Sequence, residues 1–343
     1  MAKKCVFCGQ KPKDKNKEHI IPQWLIRMTG REQKPVAQSS DSTIPFMRFT
    51  LPACSACNSR YSGWEANVKD VMEKVLSDTP ISTAETDLLL DWFDKVRIGL
   101  WHANYNLNPS LYNFEPKMYI DDVIGYEDRM LVVERLDITG RGILINGVES
   151  SIFVHSPSVF QMVINNYSFT SVAAVNLVSP KLGFPVITDL IFTENGGLSG
   201  VLKKGSNKAV IPILRSVNPL PNQTIIYQPM FSQVKSSPFY DNDYVRSHSV
   251  GYDVGHGGIF YQQNCGPLKY MEPYNKLHLA KTKALPGDSL NDICRRMYNL
   301  QIIINQMPIK IDYGNTSMNK AIQYERYMRS KFNLLLSASC NSK

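Results

Sequence analysis

The apolar positions of this chain change period several times along its length. Trp64, Val68, Val71, Met72, Val75 and Leu76 recur at helical intervals and predict a helix over Ser59–Leu76, ended by Pro80. Leu88, Leu89, Trp92, Phe93, Val96 and Leu100 predict a second helix, Thr83–Asn104, apolar on one face. Ahead of these, Glu18–Leu25 and Phe46–Leu51 read as short strands, limited by Pro22 and Pro52, with a polar loop over 27–45 between them. Further strands are expected at Met130–Ile138, Gly142–Ile145, Ser151–His155, Phe169–Val178 and Val186–Phe192. Asn146-Gly147 would form a hairpin turn, and a short helix would fall near Ser158–Asn165. Residues 195–287 are rich in Gly, Pro, Asn and Ser and yield few elements. Helices at Ser289–Gln306 and Ser317–Leu336 close the chain, the first stopped by Pro308 and the second capped by Asn315-Thr316-Ser317. The pattern is α+β: a small unit over residues 1–78 and a larger α+β domain over 79–343, with no internal repeat.

Composition narrows the class. The chain has 343 residues, 43% hydrophobic and 20% charged, as in a soluble globular protein with a substantial core. No run of about 18 apolar residues suggests a membrane span. The segment Met-Ala-Lys-Lys-Cys lacks the apolar stretch of a secretory signal, so a cytoplasmic setting is expected. The net charge of +8 is concentrated early. Residues 1–60 hold eleven Lys and Arg against four acids, a surplus of seven, which would draw a phosphate backbone. Beside the motif described next, nucleic acid is a better partner for the Lys11–Lys17 stretch than a merely solubilising role.

Two Cys-x-x-Cys pairs, Cys5/Cys8 and Cys54/Cys57, bracket the chemistry. In a cytosolic protein such pairs bind metal more often than they form disulfides. Four thiolates suit tetrahedral zinc, and a closed four-sulfur shell makes that zinc structural. Gly9 would permit the tight turn of the first pair, and a zinc staple suits a unit with so little core. Between the pairs stands Lys17-Glu18-His19-Ile20-Ile21-Pro22, and Asn58 follows the last Cys. Phosphodiester hydrolysis needs an activated water, neutralised charge on the phosphate and a stabilised leaving oxygen. A neutral His19 can take the proton from water. Glu18 and Asn58 offer oxygens for Mg²⁺ or Mn²⁺, which would act as Lewis acid and template. Alternation along a strand sends Glu18 and His19 to opposite sides, so sharing one site requires a bent or ending strand there.

Other polar residues carry blander expectations. Cys265, Cys294 and Cys340 stand alone, and His102 reads as a satisfied side chain. His248, His256, Cys265 and His278 are too irregularly spaced for a second metal site, and Gly251–Gly258 reads as a turn rather than a phosphate loop. Arg295, Arg296, Lys320, Arg326, Arg329 and Lys331 read as solvated faces.

The order Cys-x-x-Cys, Glu-His-Ile-Ile-Pro, Cys-x-x-Cys-Asn resembles the HNH endonucleases, and Pro22-Gln23-Trp24-Leu25 resembles a bacterial branch with a zinc knuckle. The resemblance covers residues 1–78. It implies a ββα-metal fold, with His19 as general base, Asn58 as metal ligand at the helix start and Glu18 as the acidic ligand. It also makes Cys5, Cys8, Cys54 and Cys57 the structural zinc ligands. The implied activity is metal-dependent hydrolysis of DNA, leaving 5′-phosphate and 3′-hydroxyl ends, as in anti-phage or restriction effectors. The chain departs from the family at Phe49, where a middle Asn that orients the His is usual; that role passes to another group, such as Thr50 or a backbone carbonyl. Two alternatives share these residues: an RNA-cleaving nuclease, and a non-catalytic zinc module binding nucleic acid or protein. Residues 79–343 would recognise substrate, a partner protein or a second copy of the chain.

Overall fold

The fold is described from a computed structural model covering residues 4–14, 16–30, 35–39, 42–45, 49–107, 109–112, 114–125, 127–182, 186–192, 198–203, 222–229, 258–279, 289–307 and 316–340. In the N-terminal unit, β1 (Lys17–His19) leads through Pro22 into α1 (Gln23–Met28). The expected strand to Leu25 therefore stops at His19. Pro22 lacks an N–H for a ladder, and its fixed φ suits the residue ahead of a helix, whose Leu25 and Ile26 are buried. The expected loop over 27–45 contains a hairpin, β2 (Pro35–Ser39) and β3 (Ser42–Pro45). The second expected strand appears as β4 (Thr50–Pro52), paired antiparallel with β1 so that His19 faces Thr50 and Glu18 faces Leu51. Residues 46–48 of that expectation lie outside the described residues.

Next comes α2 (Ser55–Leu76), which starts four residues before the expected Ser59 and buries Val68, Val71, Met72 and Val75. Asn58 is thus in its first turn. The order along this unit is β1, α1, the β2–β3 hairpin, β4 and α2, with the short strand β5 (Ile81–Ser82) following.

The helix α3 (Thr83–Leu107) organises the rest. From Trp92 to Trp101 it is buried on all sides, not on one face as expected, which marks a helix inside the core. On one side it meets the N-terminal unit. Trp92 lies 6.1 Å from Trp24, and a Cβ added at Gly99 would stand 2.9 Å from Ile20. On the other side Phe93 meets Phe169 at 5.4 Å and Phe160 at 6.1 Å. One apolar cluster therefore runs from Cys5 through α3 into the large sheet. The boundary expected at residue 78/79 is crossed by continuous packing.

After α4 (Ile120–Val123) come β6 (Asp128–Arg135), β7 (Ile143–Asn146), α5 (Ser151–His155), β8 (Val159–Ile164) and β9 (Tyr167–Ala174). They are followed by α6 (Ser179–Leu182), the hairpin β10 (Val186–Phe192) and β11 (Leu198–Lys203), then β12 (Gln223–Gln228), β13 (Phe260–Gln263), β14 (Lys269–Tyr270) and β15 (Lys276–Leu277). Seven of these strands form an antiparallel sheet in the order β14-β13-β12-β6-β9-β8-β7. Leu131, Val133, Phe160, Met162 and Phe169 join the α3 side. Met130, Val132, Val159, Val172 and Ile225 join Met297, Leu300 and Ile304 of the Leu290–Gln306 helix. Helices on both faces of one sheet make a layered mixed α/β architecture.

Two expectations here are reversed. Ser151–His155 is the helix α5, because the Ser150 hydroxyl accepts the Phe153 amide at 3.1 Å and caps it. Ser158–Asn165 holds the strand β8, whose side chains are buried on both faces and so show no period-two pattern. The tight turn is also elsewhere. Gly147 has φ +94°, but it leads into α5, whereas Asn165, at φ +54°, turns β8 directly into β9. The closing helices are Leu290–Gln306, with a Ser289/Asp292 capping box, and Thr316–Ser339. Asn315, Gly251–Val254, His248 and His256 lie outside the described residues. Among the described residues, no helix is long and apolar enough to cross a membrane.

Candidate metal centre and catalytic cluster

The four cysteines converge. Their sulfurs all lie within 4.8 Å of one another, and Cys8 Sγ is 3.9 Å from Cys54 Sγ. A tetrahedron with zinc–sulfur bonds of about 2.3 Å has edges of roughly 3.8 Å, so this four-sulfur set fits a structural zinc. Local backbone makes the convergence. The Gly9 amide donates to the Cys5 carbonyl at 2.9 Å, and Gly9 itself has φ +71°. A Cβ on Gly9 would meet the Tyr119 ring at 2.5 Å, so this turn requires glycine twice over. Val6 N donates to Pro52 O at 2.9 Å, holding the first pair against β4, while Cys54 and Cys57 open α2. Desolvation and the neighbouring thiols push Cys54 up to about 11 and Cys57 up to about 12. For Cys5 burial also acts upward, but amides of Cys8, Cys54 and Phe7 outweigh it and bring the thiol below its ordinary value.

The three residues expected to cut are held by the same staple, but they do not all face one place. Asn58 donates from Nδ2 to the Lys17 carbonyl and to Asn16 Oδ1, both at 3.2 Å. Its point of contact with β1 is two residues from His19, about 7 Å along a strand. His19 is half-buried, and its Nε2 lies 3.1 Å from Gln23 Nε2 on α1. Glu18 points the other way, as strand alternation demands. It is 6% exposed, and its Oε1 lies 2.5 Å from Lys95 Nζ of α3, which also contacts Glu65 Oε1 at 2.5 Å. Burial pushes the Glu18 carboxyl up; Lys95 pulls it back and Glu65 adds to the rise.

Sequence reasoning missed the polar support of Asn58. Asn16 Oδ1 also accepts the Lys17 amide at 2.9 Å, and Asp14 accepts the Ser55 hydroxyl and, at 3.4 Å, the Asn16 amide. The Asp14-x-Asn16 spacing was visible, but inside a lysine-rich loop it carried no pattern of its own. Nothing in the sequence marked Lys95 as the partner of Glu18.

These positions test the hard cation that the motif implies. Glu18 faces an ammonium, and Asp14 is engaged by Ser55 and Asn16. Among the described residues the four cysteines are the sole grouping of three or more His, Cys, Asp and Glu able to hold a metal. Asn58 Oδ1 remains a suitable oxygen, but Glu18 does not fit the role of acidic ligand. Of the groups expected to orient His19, Thr50 is its partner across the β1–β4 ladder, and the Phe49 carbonyl accepts the Ile20 amide at 3.2 Å. A cavity of about 740 Å³ reaches Asn16, Lys17 and Thr50, with Lys4, Lys11 and Tyr119 also on its wall, but neither His19 nor Asn58 lines it. His102 beside it is satisfied as expected: Nε2 contacts the Met118 carbonyl at 2.7 Å, and burial lowers its pKa. No protein-family model, no curated protein and no solved structure matches this chain.

Proposed function

We infer that the chain is a nuclease of HNH type that hydrolyses phosphodiester bonds, with DNA as the first substrate to test. The observation that carries this reading is one contact: Asn58, in the first turn of the helix opened by Cys54, is hydrogen-bonded to the strand that bears His19. The four-cysteine cluster fixes that contact by joining the knuckle to the helix start.

In this reading His19 accepts the proton of the attacking water. The exposed Lys11 and Lys17 flank the cavity and neutralise the phosphate backbone. Asn58, held by Asn16 and Lys17, keeps its Oδ1 for the substrate side. A bound Mg²⁺ or Mn²⁺ would supply Lewis acidity, with Asn58 Oδ1 as its protein ligand; Glu18 acts instead as a buried tie between β1 and α3. An effector of phage defence or restriction is the biological setting that such a cutter fits.

Plasmid nicking in a series of divalent ions, by the native chain and by His19→Ala, tests the proposal. Cleavage by the native protein and none by the variant is expected. Equal cleavage by both would remove His19 from the role. A second reading has its own support: with Glu18 engaged by Lys95, the unit could bind nucleic acid without cutting it. Retained binding without cleavage in any ion decides for that reading, and parallel DNA and RNA substrates separate the two nucleases.

A further inference from the structure

Gln23 was not among the residues expected to matter, yet its side chain contacts the imidazole of His19. Its Nε2 lies 3.1 Å from His19 Nε2, and its Oε1 accepts Arg27 Nη2 at 3.2 Å. The second contact fixes the first. An arginine can only donate, so the oxygen of the Gln23 amide must face Arg27 and the amide hydrogens must face the imidazole. An amide N–H can meet Nε2 only if that nitrogen carries its lone pair, which puts the ring proton on Nδ1. Gln23 and Arg27 are four residues apart, so the helical repeat of α1 stacks them, and Pro22 starts that helix three residues after His19.

We propose that Arg27 and Gln23 are positioning residues that hold His19 in its Nδ1–H tautomer, leaving Nε2 as the atom that accepts the proton from water. This rests on the nuclease reading for its purpose but not for its measurement. A neutral imidazole otherwise exchanges between two tautomers, and only one presents an acceptor at a given position. The relay does the orienting work that the middle Asn performs in the resembled family. It also links the base to substrate. Arg27 is exposed, and a phosphate that shifts its guanidinium would carry the Gln23 oxygen with it, drawing the amide off Nε2 so that water can take its place.

The test is the tautomer itself, read at pH 8 from the ¹⁵N shifts of histidine-labelled, zinc-loaded full-length protein, with His19→Gln to assign the signal. The native chain is expected to show a protonated Nδ1 and a bare Nε2. Gln23→Leu should lose that preference. Gln23→Glu, which turns an acceptor toward the ring, should move the proton to Nε2 and lower cleavage about 10- to 100-fold with zinc content unchanged. Arg27→Gln, on an exposed position, should shift the tautomer part-way and guards against a folding defect in the Gln23 variants. A native Nε2–H tautomer, or one indifferent to Gln23→Leu, overturns the proposal. The expected tautomer in a protein that cuts nothing leaves the relay standing and removes the nuclease.

Discussion

Lys95 Nζ lies 2.5 Å from Glu18 Oε1, joining the central helix to the strand that carries His19. With Glu65 at the same distance, one buried ammonium serves two carboxylates, and the Phe7 ring lies 5.8 Å from the nitrogen. The carboxylate expected to hold a divalent cation is paired here with a lysine from α3. The consequence is mechanical: the candidate site is fastened to the core of the whole chain.

Removing Lys95 leaves Glu18 and Glu65 without their counter-charge. Lys95→Met should destabilise the protein by about 3–5 kcal/mol near neutral pH, as breaking a buried pair does. The sign of the pH effect follows from the raised pKa of Glu18. A carboxyl with a folded pKa above its unfolded value stabilises the fold when protonated and loses that contribution as pH rises through the folded value. The defect should therefore shrink as pH falls toward the carboxyl range, and Glu18→Gln in the same background should restore part of the loss. Denaturant melts at several pH values check this; a defect independent of pH would count against it.

Zinc content should be one ion per chain. Cys57→Ser or a strong chelator should remove it and melt the N-terminal unit, since the free energy of a structural zinc is folding free energy, on the order of 10 kcal/mol. Elemental analysis alongside circular dichroism measures both. Full metal loss with an unchanged melting curve would show that the staple is dispensable.

His19→Ala should keep zinc and melting temperature while cleavage falls about 10²- to 10⁴-fold, the usual worth of a general base. Asn58→Ala should lower cleavage as well, and it should loosen the α2 start by removing the bonds to Asn16 and Lys17. Plasmid nicking with a thermal melt of each variant separates the two effects.

Binding to DNA should weaken as salt rises. Lys11→Ala and Lys17→Ala should each reduce the slope of log affinity against log salt by about one. Lys4→Ala should do less, because Lys4 is paired with Glu115 at 3.0 Å. Fluorescence anisotropy over a salt series reads this directly; identical slopes for all three variants would move the phosphate contacts elsewhere.

Several features were legible early because each depends on neighbours in the chain. Two Cys-x-x-Cys pairs turn their sulfurs to one side within a few residues. The 3.6-residue recurrence from Val68 to Val75 reports one buried face of α2. Val159–Ile164 was misread because its two faces are buried against different helices, so no alternation survived in the residue types.

What the sequence determined alone, then, was the four-cysteine cluster and the main helices, together with the strand alternation that stood against a site shared by Glu18 and His19, since spacing and alternation are short-range properties. What only the tertiary structure decided was where each side chain ends up. The partner of Glu18 is 77 residues away on α3, and the burial of that helix on all sides depends on a sheet that begins at residue 128. Long-range packing selects among the faces that local geometry offers, and no local pattern encodes which face will meet which element.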